Sequence, residues 1–159
     1  ERKLLDKGLK FRSMILPDIF IDQDTPDKMY EMAGLDSSSI VNKIEETLNS
    51  NIIPTYIFFL HWRWIVPKQI TQNYECVCFH MTDVPYGRGG SPLQNLIVRG
   101  KTATKLTALK MSEELDAGPV YGKVDLSLAG SAQEIYENAS DLVYVLISRI
   151  MLFRISRNA

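Results

Sequence analysis

Two short apolar runs, Tyr56-Ile57-Phe58-Phe59-Leu60 and Cys76-Val77-Cys78-Phe79-His80, constrain this chain most. Neither alternates apolar with polar residues, as a strand wetted on one face would. Continuous β-prone runs of this length, punctuated by Pro54, Pro67 and a glycine-rich loop, read as strands covered on both faces in a parallel sheet. Each run leads into a histidine, His61 or His80, and the chain has no others. Sites in open α/β sheets form at the carboxyl ends of strands, so both positions are functional candidates.

Helical patterns alternate with these runs. Thr25-Pro26 and Asp36-Ser37 are helix starts, the second opening a stripe of Ile40, Val41, Ile44 and Leu48. Pro67 opens a short helix towards Asn73, and Ser91-Pro92 starts another that Gly100 stops. A strand is expected at Leu9–Leu16, and a hairpin-like pair at Thr104–Met111 and Val120–Leu126 around the turn Asp116-Ala117-Gly118-Pro119. Ser131-Ala132-Gln133-Glu134 is a capping box for a long helix. Its apolar stripe is Ile135, Ala139, Leu142, Val143, Leu146, Ile147 and Ile150. This alternation predicts an α/β layered fold.

Composition narrows the function classes. The 159 residues are 45% hydrophobic and 23% charged with a net charge of -1, which fits one globular domain and excludes disorder, collagen and coiled coil. That balance argues against nucleic-acid binding through bulk charge. No apolar stretch reaches the roughly 18 residues of a membrane span. Cys76 and Cys78 are expected to project from opposite faces of a strand and stay unpaired, which fits a reducing, cytoplasmic setting. The start, Glu1-Arg2-Lys3, reads as the interior of a longer open reading frame or as a trimmed end.

Among polar residues, His80 needs a carboxylate to hold its tautomer, and Asp116 and Asp83 both qualify by position. Gly87-Arg88-Gly89-Gly90-Ser91-Pro92 has the make-up of an anion cradle, without being a Walker or GxGxxG motif. No metal site is expected, because C-x-C-x-H on one strand gives poor tetrahedral geometry. The aromatic cluster Tyr56, Phe58, Phe59, Trp62 and Trp64 reads as core and pocket wall.

The segment His80-Met81-Thr82-Asp83-Val84-Pro85-Tyr86-Gly87-Arg88-Gly89-Gly90-Ser91-Pro92-Leu93-Gln94 resembles the H-x-S-L-L-P-x-x-R-G-x-x-P-x-Q signature of folate-dependent formyltransferases. Leu115-Asp116-Ala117-Gly118-Pro119-Val120 resembles their L-D-x-G-x-[IVL] motif, and Ile57–Pro67 their preceding strand and turn. The resemblance covers about 52–150. It implies a three-layer, mostly parallel Rossmann-like sheet, incomplete in its amino-terminal half. It also implies formyl transfer from 10-formyltetrahydrofolate to a primary amine, with His80 and Asp116 catalytic. Folate is expected near Leu60, His61, Ile65, Val66, Met111 and Leu115, and the amine substrate near Arg88, Gly89, Gly90 and Ser91.

Cys78 stands where the family has asparagine, and a thiol is a poor oxyanion donor, so a rate loss on the order of 10²-fold is expected there. The segments at 61–64 and 79–83 look most like the amino-sugar branch, which implies a nucleotide-linked amino sugar as acceptor. A small-molecule amine and folate are thus the implied partners, with no nucleic acid and no membrane, and a homo-oligomer left open. Arg12–Asp36 resembles the carboxyl-terminal tail of deoxyxylulose-phosphate synthase. The implied division is 1–50 as that tail, 51–152 as formyltransferase-like and 153–159 as a terminal tail. The alternatives are a catalytically silent fusion module and a part of a thiamine-dependent assembly.

Overall fold

A computed structural model describes residues 21–49, 54–62 and 66–157. The chain divides into two compact units, Glu1–Ile53 and Pro54–Ala159. The expected strand at Leu9–Leu16 lies outside the described residues.

In the first unit, helix α1 (Pro26–Met32) begins with proline at its first position, and Thr25 makes no side-chain cap. Helix α2 (Ser37–Asn49) is capped by Asp36, whose Oδ1 accepts from the backbone N–H groups of Ser38 and Ser39 at 2.9 and 3.1 Å. These bonds satisfy two amides that have no partner inside the helix; the Ser39 hydroxyl, donating to Asp36 Oδ2, and then the same backbone bonds hold the Asp36 carboxyl below its ordinary range. Ile40 is buried, and Val41 and Ile44 are half-buried, on the stripe that the spacing predicts.

The second unit is an α/β layer of strands and helices: β1 (Ile57–Phe59), α3 (Lys68–Asn73), β2 (Cys76–His80), α4 (Pro92–Val98), β3 (Ala103–Lys110), β4 (Val120–Ser127) and α5 (Ala132–Arg157). The sheet order is β1-β2-β3-β4. Among the described strands, β1 and β2 pair in parallel, while β2–β3 and β3–β4 are antiparallel. The parallel character expected from the two apolar runs therefore resides in the pair those runs form. The connection from β1 to β2 passes through α3, as a parallel crossover requires.

Strand periodicity divides β2 into two faces. Val77 and Phe79 join Phe58, Leu106 and Ala108 in a core closed by Val143, Leu146 and Ile150 of α5. Cys76, Cys78 and His80 face the other way, opposite Leu109 and Thr107 in the β3 register. A second cluster joins Leu93 and Leu96 of α4 to Leu126, Leu128, Ile135 and Ala139. The buried positions of α5 recur at spacings of four, four, three and four, which is the stripe read from sequence.

The amino end of α5 carries the reciprocal capping box: Glu134 N–H donates to Ser131 Oγ at 3.3 Å, and Ser131 N–H to Glu134 Oε2 at 2.7 Å. The helix continues to Arg157, through most of the segment set apart above as a tail. No helix among the described residues is long and apolar enough to cross a membrane.

Burial of a leucine side chain contributes about 1.5–3 kcal/mol, so this core dominates the stability of the second unit. Leu146 is fully buried, and its Cδ2 lies 3.3 Å from where a Cβ on Gly122 would sit. Leu146→Ala is expected to cost about 2–5 kcal/mol, read as a lower urea midpoint at unchanged slope.

Candidate active site

His80 closes β2 with its ring buried on the face away from α5. Its Nδ1 lies 3.5 Å from Asp116 Oδ2, and its Nε2 lies 2.8 Å from the Gly87 carbonyl oxygen. A carbonyl can only accept, so Nε2 carries a proton in this arrangement. With that tautomer neutral, Nδ1 would set a lone pair against the carboxylate. A second proton on Nδ1 turns the same contact into an ion pair. The pair is thus arranged to hold a proton between Nδ1 and Asp116.

Of the two candidate carboxylates, the structure brings Asp116 to His80 and takes Asp83 elsewhere. Asp83 pairs with Lys123 of β4, whose ammonium also donates to the Val84 carbonyl at 2.6 Å and keeps the Asp83 carboxyl below its ordinary range. Asp116 sits in the β3–β4 connection in a left-handed conformation (φ 52°), which aspartate tolerates better than most residues. Its Oδ2 also accepts from Gly89 N–H at 2.9 Å, tying the loop after β2 to the loop after β3. A salt bridge of 3.2 Å between Arg88 and Glu114 adds a second tie, exposed and therefore worth at most about 1 kcal/mol.

Two glycines make these approaches sterically feasible. A Cβ on Gly118 would fall 2.0 Å from the Lys110 carbonyl oxygen, so only glycine lets this connection turn against the end of β3. Gly87 has φ 71°, and a Cβ there would meet Thr82 Cγ2 at 2.7 Å. That close approach sets the Gly87 carbonyl against both His80 and the Thr82 hydroxyl, which donates at 3.3 Å. Thr107 Oγ1 in turn donates to the Thr82 carbonyl at 2.7 Å, and both threonines are fully buried. Sequence reasoning missed Thr82, Thr107 and Lys123. Thr82 had a signal, since it stands at the serine of the H-x-S signature.

The thiols depart from expectation. A strand's period of two puts Cys76 and Cys78 on one face, not on opposite ones. Both are free, with Sγ donating to the Ile70 carbonyl at 3.8 Å and the Leu109 carbonyl at 3.7 Å respectively. Burial, reinforced by the charge of Asp116, pushes the Cys78 thiol up to about 12; burial and Glu75 push Cys76 to about 11. Cys78 beside the candidate pair is therefore a neutral thiol.

Other expected residues are scattered more widely. The Gly89 N–H is taken by Asp116, so the expected anion cradle has lost one donor. Gly90 and Ser91 offer carbonyls to the Asn95 amide at 3.3 and 2.9 Å, and Ser91 is left-handed. His61, also left-handed, sets its ring edgewise to Tyr136 at 5.8 Å, and burial lowers its pKa. Leu60 and Leu115 are exposed and Val66 is buried. Met111 pairs its N–H with the Cys76 carbonyl, at the end of β2 away from His80. Ile65 lies outside the described residues. Among the described residues no group of three or more His, Cys, Asp or Glu could hold a metal ion.

The α/β fold matches that of solved formyltransferases. The chain is similar to methionyl-tRNA formyltransferases. It is 25% identical over 152 residues to methionyl-tRNA formyltransferase of a Nitratiruptor species, covering 92% of this chain and 49% of that protein. The structure of methionyl-tRNA formyltransferase from Clostridium thermocellum matches with a TM-score of 0.68 and 43% identity, covering 75% of this chain and 51% of that one. A Mycobacterium tuberculosis protein described as a likely sugar N-formyltransferase shares the fold at a TM-score of 0.54 and 20% identity, over 70% of this chain and 49% of its own. The chain thus spans about half the length of the curated relatives it matches. No family model matches it.

The thiol environment gives a direct check. At pH 8 the folded chain is expected to leave both cysteines unreacted with an aromatic disulfide reagent, since neither is thiolate well below pH 11. In denaturant both thiols should react within minutes; rapid reaction of half-buried Cys78 in the native chain would contradict its raised pKa.

Proposed function

We propose that this chain carries the catalytic portion of an enzyme that transfers a formyl group from 10-formyltetrahydrofolate to a primary amine. The observation that carries this reading is the 3.5 Å contact between His80 and Asp116, which joins two signature motifs separated in sequence. The donor set fits such a cosubstrate: an imidazole–carboxylate pair can hold a proton, and exposed Leu60 and Leu115 offer apolar cover for a flat ring system. Leu60, His61, Val66 and Leu115 would hold the folate, with Ile65 and Met111 the remaining candidates. When bound, the folate supplies an activated formyl carbon.

The chain's own part is proton handling and orientation. With Nε2 already protonated, the deprotonated Nδ1 that faces Asp116 is the position that would take the proton the attacking amine must lose, the carboxylate then stabilising the imidazolium. The buried Thr82–Gly87 contact fixes the ring at the strand end. Cys78 takes the place of an amide donor but spends its weak S–H on the Leu109 carbonyl, so it supplies little to a developing oxyanion. We propose a nucleotide-linked amino sugar as the acceptor, held near Arg88, Gly89, Gly90 and Ser91, and a cytoplasmic location. Supporting this are the near-neutral charge and the amino-sugar-like segments at 61–64 and 79–83. The methionyl-tRNA relatives favour transfer-RNA as the competing acceptor.

We place the catalytic portion at 51–152. The likeness of 1–50 to a synthase tail supports a fusion, but alignment of 92% of the chain to a formyltransferase favours a single ancestry.

The test is calorimetry with 5-formyltetrahydrofolate followed by formyl transfer to an amino-sugar nucleotide. Saturable folate binding and measurable transfer are expected. His80→Ala should reduce transfer by about 10²-fold or more. Asp116→Asn, which keeps an acceptor for Gly89 N–H, should lower kcat with little change in folate affinity, and Cys78→Asn should raise kcat. An active His80→Ala enzyme, or no folate binding by a folded chain, would overturn the reading in favour of a silent module.

A further inference from the structure

The registers of the two antiparallel ladders place His80, Thr107 and Lys123 in one row across β2, β3 and β4. Directly opposed residues project to the same face of a sheet, so all three stand beside the loop that leaves β2. Thr107 and Lys123 each take hold of that loop by a carbonyl. Thr107 Oγ1 donates to the Thr82 carbonyl at 2.7 Å, and Lys123 Nζ donates to the Val84 carbonyl at 2.6 Å and to the Asp83 carboxylate. An ammonium suits this hold, because its three N–H donors can serve a carboxylate and a carbonyl together. Asp83 and Val84 stand where the H-x-S-L-L-P signature has two leucines, so the carboxylate half of the hold departs from that signature.

The loop turns back just beyond the hold. Tyr86 N–H donates to the Asp83 carbonyl at 3.0 Å, and Gly87 follows with its carbonyl 2.8 Å from His80 Nε2. Lys123 therefore grips the first two residues of a turn whose far end meets the imidazole. Val84 is buried, so its carbonyl is an acceptor that is costly to leave without a donor. The Asp83 carboxylate is half exposed, and a screened pair of that kind steers little by itself. The bond to the Val84 carbonyl is the part that fixes the backbone.

We propose that Lys123 is a positioning residue for His80, acting through the Asp83–Gly87 turn to keep the Gly87 carbonyl against Nε2. Its hydrogen bonds go to Asp83 and Val84 and not to the imidazole, so its effect on the ring is indirect. As a statement about ring orientation this stands on the geometry. As a contribution to catalysis it rests on the formyl-transfer reading.

The test follows the Nε2 proton of His80 by proton–nitrogen correlation NMR on the whole chain without ligand. A ring proton held against a buried carbonyl exchanges slowly with water. His80→Gln assigns the signal, since His61 is the only other histidine. Lys123→Met, which keeps the length and drops the donors, should speed exchange about tenfold. Lys123→Arg, which can still donate to both oxygens, should hold the rise well below that. Lys105→Met removes an equal charge from the same face of β3, at the exposed pair with Asp125, and should leave exchange unchanged. Circular dichroism checks that each variant is folded. Where Lys123→Met does not fold, Asp83→Ala decides: it removes one of the two contacts with Lys123 and should speed exchange about threefold.

Unchanged exchange in folded Lys123→Met, or in folded Asp83→Ala where the first variant fails, would overturn the proposal. So would equal rises in Lys123→Met and Lys123→Arg, or in Lys123→Met and Lys105→Met. In transfer assays Lys123→Met should lower kcat about tenfold with KM for folate retained. Faster exchange in Lys123→Met of a chain that transfers no formyl group would sink the formyl-transfer reading alone. Transfer by the unaltered chain, with exchange unchanged in Lys123→Met, would sink the positioning role alone.

Discussion

The two-residue period of β2 is the constraint on which the rest of the second unit depends. Val77 and Phe79 face the core under α5, while Cys78 and His80 face the loops. A slip of one residue would put the imidazole among Leu106, Ala108 and Val143 and expose Phe79 in its place. Ladders to β1 on one side and β3 on the other oppose that slip. The position of His80 is therefore secured by apolar burial on the opposite face of the sheet, and the site inherits the rigidity of the core.

Beyond the strand end, buried hydrogen bonds outweigh exposed charge pairs. The Gly87 carbonyl takes donors from His80 and Thr82, Thr107 anchors Thr82, and Asp116 takes the Gly89 N–H. Each such bond contributes about 0.5–1.5 kcal/mol, and losing one partner leaves a buried polar group that costs more. The Arg88–Glu114 pair spans the same two loops but is exposed and screened, so it steers the loops less than the backbone contacts do. Glycine at 87 and 118 is what permits the contacts, since a side chain at either would strike Thr82 or the Lys110 carbonyl.

Much of this architecture was legible in the sequence because it is local. The capping box at Ser131 and Glu134, the proline at the start of α1, the stripe of α5 and the bounds of β2 follow from spacings of a few residues. The turn at Asp116-Ala117-Gly118-Pro119 marked the β3–β4 connection. What sequence left open depends on contacts across many residues. The choice between Asp83 and Asp116 was decided by Lys123, forty positions from Asp83, and by the left-handed turn that aims Asp116 at His80. The expected cradle at Gly87–Ser91 spends a donor on that same carboxylate, and Met111 falls at the end of β2 away from His80 because β3 runs antiparallel to it.

Cys78 leaves the site with its proton-holding pair in place and a neutral thiol where an amide would donate. Under the proposed chemistry, stabilisation of a developing oxyanion then falls to the Nε2–H of His80, which is engaged with the Gly87 carbonyl. Releasing that bond would ordinarily strand a buried acceptor, at a cost of about 1–3 kcal/mol. Here the same oxygen keeps the Thr82 hydroxyl, itself held by Thr107 through the Thr82 carbonyl. The threonine pair thus lowers the cost of turning the imidazole from structural donor to reacting group. Under that chemistry the two buried hydroxyls, Thr82 just past β2 and Thr107 in β3, have a part beside His80.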